Sequence, residues 1–95
     1  MAAYVLVDIE VTDQETYDDY RRQVPPLVEK YGGKYLVRGG DLETLERDWQ
    51  PKRLIVLEFP SVVNAKQFYD SEEYGPLKAL RIKATNSKMV LVEGA

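Results

Sequence analysis

Arg53-Leu-Ile-Val-Leu-Glu-Phe59, stopped by Pro60, is the stretch on which the fold turns. Ile55, Leu57 and Phe59 alternate with Leu54 and Val56, so it reads as a strand with two apolar faces. Before it, Gln50-Pro51-Lys52 is a turn and Lys34 to Arg38 a short strand. Gly39-Gly40 breaks that strand as a bulge or sharp bend, and Leu42 to Trp49 reads as its continuation. After it, Ser61 caps a helix carrying Val62, Ala65, Phe68 and Tyr69. A second helical piece starts near Glu72, carries Tyr74, Leu77, Leu80 and Ala84, and stops near Asn86. Ser87 to Glu93 is the last strand.

At the other end, Tyr4 to Val11 is a β-branched, alternating strand. Thr12 or Asp13 then caps a helix whose stripe is Tyr17, Tyr20, Val24, Leu27, Val28 and Tyr31. Pro25-Pro26 inside that stripe predicts a kink or restart, because proline lacks the helix donor. Gly32-Gly33 ends it. The order β-α-β-β-α-β predicts a single α+β domain over 1–95 of ferredoxin-like type. In that arrangement an antiparallel four-stranded sheet carries helices on one face.

The second sheet face should then be polar, and it is not. Tyr4 and Leu6, Leu54 and Val56, and Val90 and Val92 leave it apolar. A symmetric partner sheet is the simplest cover, so a homodimer is expected. The alternative is a monomer whose Leu42–Trp49 segment folds over that face.

The chain has 95 residues, a net charge of −3, and neither cysteine nor histidine. The negative balance argues against nucleic acid, which needs a basic field. Without cysteine and histidine there is no thiolate nucleophile, no imidazole base and none of the commonest zinc ligands. No metal and no cofactor are expected. No stretch approaches the roughly 20 apolar residues of a membrane span, and no leader pattern opens the chain, so a cytoplasmic location is expected.

Tyr20 with Val24-Pro25-Pro26, Tyr31-Gly32-Gly33, Leu36-Val37-Arg38-Gly39-Gly40, Leu45-Glu46, Trp49-Gln50-Pro51-Lys52-Arg53, Glu58-Phe59-Pro60-Ser61, Ala65, Tyr69, Ser71, Tyr74, Arg81 and Glu93-Gly94 form a pattern across the chain. It resembles the bacterial domain-of-unknown-function family 1330. The resemblance implies a dimeric α+β barrel of ferredoxin-like kind, without an agreed activity. Related barrels include cofactor-independent monooxygenases, lactone isomerases and haem-handling enzymes, a kinship of fold rather than function. One departure stands out: Arg47 occupies the position where the family pattern has a glycine after Leu-Glu.

Arg81 shares a helical stripe with Leu77 and Ala84, so its stem points toward the sheet. It is read either as an anion clamp for a carboxylate ligand or as a snorkelling or structural arginine paired with Glu58. Glu58 and Asp8 interrupt apolar strands. With the first and third strands taken as parallel neighbours, both acids would sit near one end of one face and divide acid and base roles. The alternatives are strand ends in solvent, or pairing with Arg38, Arg53 or Arg81. Phe68, Tyr69, Tyr74 and Trp49 suggest an amphipathic pocket wall, or plain packing. Arg38-Gly39-Gly40 offers backbone amides to an anion, or forms a bulge. No glycine-rich loop links a strand to a helix, which excludes nucleotide binding.

Three functions follow. The first is an enzyme without metal or cofactor acting on a small organic acid or aromatic-like metabolite. Glu58, Asp8 and Tyr69 would be its catalytic groups, and Arg81, Arg38, Tyr74 and Trp49 would bind the ligand. The second is a non-catalytic dimer that binds such a metabolite. The third is a structural dimer in which arginines and carboxylates pair internally. Whether Arg81 and Glu58 meet each other or line an open cavity separates them.

Overall fold

In the computed structural model, which describes all of residues 1–95, four strands form one antiparallel sheet in the order β2-β3-β1-β4. The strands are β1 (Ala3–Val11), β2 (Lys34–Arg38), β3 (Leu54–Phe59) and β4 (Thr85–Glu93). The helices α1 (Gln14–Lys30), α2 (Val62–Tyr69) and α3 (Tyr74–Ala84) cover one face. The fold is ferredoxin-like, as the element order predicts.

Side-chain alternation places the core. Val5, Val7 and Ile9 of β1 and Ile55, Leu57 and Phe59 of β3 are buried beneath the helices, against Tyr17, Tyr20, Val28, Phe68 and Tyr74. The opposite face carries Val37, Val56, Leu6 and Val90 in one row across all four strands. Val90 and Val92 are 59% and 48% exposed, and the molecule is a slab 35 × 34 × 16 Å.

Asp13 caps α1 by accepting from the Thr16 amide and hydroxyl, and Ser61 caps α2 by accepting from the Asn64 amide. Helix α1 runs unbroken through Pro25 and Pro26, where a kink or restart was expected. Pro25 has no N–H for the Arg21 carbonyl one turn earlier. That carbonyl instead accepts from the Arg38 guanidinium at 3.4 Å.

Three other expectations need correction. Residues Leu42–Trp49 form no strand: the chain from 39 to 53 is irregular and residues 41–50 are exposed, Trp49 at 71%. Gly39, at φ +72, ends β2, and its amide donates to the Leu54 carbonyl instead of facing an anion. The bulge lies earlier, between Tyr35 and Val37. Helix α3 stops at Ala84 rather than Asn86, and β4 starts directly at Thr85. The loop leaves the second sheet face uncovered.

Arg47 has φ +62, so an arginine occupies a left-handed conformation that suits glycine. That conformation costs a side-chain-bearing residue about 1–2 kcal/mol, and glycine's extra unfolded-state entropy returns about 0.5–1 kcal/mol of it. Arg47→Gly is therefore expected to raise the melting temperature by a few degrees, measured by circular dichroism.

Candidate functional site

Arg81 is the centre of the site. The stripe that puts Leu77 and Ala84 into the core carries Arg81 with them, and it is 5% exposed. No carboxylate lies within ion-pair distance of it. Its Nη1 donates to Ser87 Oγ at 2.6 Å, while Nε is buried without a partner. Its backbone carbonyl accepts from Thr85 Oγ1 at 2.6 Å, which locks the turn from α3 into β4. A buried guanidinium with one neutral partner is costly, and such a cost is characteristic of a site prepared for an anion.

Arg81 lines a groove along the β4 edge of the sheet, about 550 Å³, with Tyr69, Ser87 and Met89. A neighbouring stretch of about 390 Å³ continues over Val5, Ala65, Met89 and Leu91, with Lys66 and Asp70 on the rim. Tyr69 and Met89 belong to both. Lys78 sits 4.0 Å from the centre of the Tyr69 ring, so a cation lies against its face.

Behind the groove, between α1 and the sheet, is a cavity of about 30 Å³ lined by Tyr17, Tyr20, Tyr35, Phe68, Tyr74 and Met89, with Arg21 and Arg38 at its margin. That is room for one or two waters. The hydroxyls of Tyr20 and Tyr74 meet at 2.9 Å in a buried hydrogen bond. Burial, and then the Tyr74 hydroxyl, push the Tyr20 phenol well above its ordinary range, against the opposing charge of Arg81. Burial pushes Tyr35 up to about 12, and Arg38, stacked 4.7 Å from its ring, pulls it back.

A raised tyrosine pKa binds its proton in the folded state after the unfolded chain has lost it. Stability is then full below pH 10 and declines above it, by about 1.4 kcal/mol per pH unit for Tyr20 alone. Tyrosinate absorbance is expected to rise for the exposed phenols first. Tyr20 and Tyr35 should titrate only in a cooperative step together with unfolding.

The acids expected beside Arg81 lie elsewhere. Strands β1 and β3 run antiparallel, not parallel, so Glu58 pairs with Tyr4 and Asp8 with Leu54. Four residues of strand, roughly 13 Å, separate the two. Both face away from the helices. Glu58 is held by Lys34 at 3.2 Å and raises the pKa of the nearby Tyr4 hydroxyl, and Asp8 accepts from the Lys52 amide at 3.1 Å. Neither meets Arg81, so the proposed acid–base pair and the Arg81–Glu58 bridge do not form. Trp49 is out on the loop. Tyr69 and Arg81 share the groove, Tyr74 stands behind Tyr69 with ring centres 5.8 Å apart, and Arg38 borders the inner cavity.

Tyr20, Tyr35, Ser87 and Met89 were not singled out as site residues. Their signal was present but ambiguous: a phenol on a buried stripe needs a hydroxyl partner, and Tyr20 finds it in Tyr74.

The sequence matches the family described as Domain of unknown function (DUF1330) over residues 2–95. No curated protein matches it. Among solved structures, it is similar to a protein of unknown function from Rhodopseudomonas palustris, at 19% identity and TM-score 0.78, covering 99% of this chain and 82% of that one. A protein described as a dimeric ferredoxin-like protein of unknown function, from Jannaschia sp. CCS1, shares 11% identity at TM-score 0.71, covering 99% and 100%. SnoaB, a cofactor-independent oxygenase from Streptomyces nogalater, shares 10% identity at TM-score 0.63, covering 99% and 92%. At these identities the likeness is one of fold.

Proposed function

The chain belongs to the DUF1330 family, and from that premise we propose that it is a homodimeric binding protein for a small organic anion held by Arg81. The observation that carries this reading is the buried guanidinium with Ser87 as its only side-chain partner and an unpartnered Nε. Internal pairing, the structural alternative, lacks its carboxylate. Binding is favoured over catalysis because Glu58 and Asp8, the expected bases, lie on the other sheet face. Of the expected catalytic groups only Tyr69 remains beside Arg81.

The dimer forms through the apolar row Val37, Val56, Leu6 and Val90, which neither helix nor loop covers. The description of the Jannaschia neighbour as dimeric supports this. The Arg81 groove shares no residue with that row, and the neighbouring stretch reaches it at Val90.

Nitrogen-15 spectra test the anchor. Acetate is expected to move the Arg81 Nε–H signal and the Ser87 amide. If neither moves at tens of millimolar acetate, Arg81 holds no small carboxylate.

A further inference from the structure

The inner cavity and the stretch that continues the groove have two lining residues in common, Val5 and Met89. Val5 is short and fixed in the sheet. Met89 is half-buried on the edge strand β4, packed against the rim of the core, and its unbranched chain suits more than one rotamer. Resting on the reading of Arg81 as an anion anchor, we propose that Met89 is a door between two halves of one pocket, and that the ligand is a monocyclic aromatic carboxylate.

Size, shape and polarity all lead there. The closed cavity, about 30 Å³, is too small for a ring, since an apolar cavity that holds benzene measures about 150 Å³. Joined to the neighbouring stretch of about 390 Å³ it is large enough. The interior walls are ring faces and aliphatic carbons: Tyr20, Tyr35, Phe68 and Tyr74 beside Val7 and Ile55. Such walls favour a flat aromatic ring, which gains offset and edge contacts beyond its buried area. Arg81 lines the adjoining groove, which meets this stretch at Tyr69 and Met89, and its buried Nε has no partner. A carboxylate suits that donor. Finally, the Tyr20–Tyr74 bond uses one of two phenolic protons, leaving a second O–H for an oxygen on the ligand.

Separate titrations of benzoate and acetate into the uniformly labelled protein test this. Val7 and Ile55 line the interior and not the groove, so their methyl signals report entry. Both anions should move the Ser87 amide, and benzoate alone should move the Val7 and Ile55 methyls. Met89→Ala removes the door, so benzoate should tighten by about tenfold or more while acetate is unchanged. If Met89→Ala does not fold, the wild-type methyl shifts decide alone. Benzoate that moves Ser87 but not the interior methyls, or binds no better than acetate, overturns the door and leaves the Arg81 anchor standing. Failure of both anions to move Ser87 removes both.

Discussion

Leu6→Glu is expected to turn a dimer into monomers. Leu6 pairs with Val56 on one side and Val90 on the other, so it sits in the middle of the apolar row. In a two-fold interface a substitution enters twice. Each uncompensated buried charge costs about 3–5 kcal/mol, so the two per dimer cost about 6–10 kcal/mol and weaken association by roughly ten-thousandfold or more. Sedimentation equilibrium at micromolar concentration should give twice 10.9 kDa for the wild type and 10.9 kDa for the variant. Leu6 points away from the core, so the variant's far-ultraviolet spectrum should be unchanged. A wild-type monomer overturns the dimer, and a variant that stays dimeric places the interface elsewhere.

The second large effect concerns Arg81. Most buried arginines are missed when removed, because a partner charge is left behind. Here no carboxylate remains, and Arg81→Met keeps the stem's packing while deleting the costly guanidinium. The apo protein is therefore expected to gain about 1–3 kcal/mol in urea unfolding, the trade of stability for function typical of a prepared site. Ser87, half-buried on β4, retains access to water for its hydroxyl. A loss of several kcal/mol would instead mark Arg81 as a structural residue.

Much of this was legible in the chain. Strand β3 declared itself through alternation on both faces, and β2 fell at Lys34–Arg38 as read. Arg81 was placed inward by its spacing from Leu77 and Ala84. The acids were misplaced through strand direction. The crossover through α1 leaves β2 parallel to β1, and the return from β2 to β3 then makes β3 antiparallel to β1. Under that direction Asp8 and Glu58 go to opposite ends. The Leu42–Trp49 segment misled because its apolar residues mimic a strand, while Gly39's positive φ turns the chain out of the sheet. The pocket halves were not legible at all. Tyr20, Phe68 and Met89 read as core, and only the packed structure shows that space remains between them.

A thermal-shift series with small carboxylates on wild type and Arg81→Met tests the central claim most directly. A ligand at about 100 times its dissociation constant adds about 2.7 kcal/mol, worth several degrees in a domain of this size. The anchor predicts that carboxylates raise the wild-type midpoint by that amount and leave Arg81→Met unmoved. Equal shifts in both proteins, or no shift in the wild type, would contradict it.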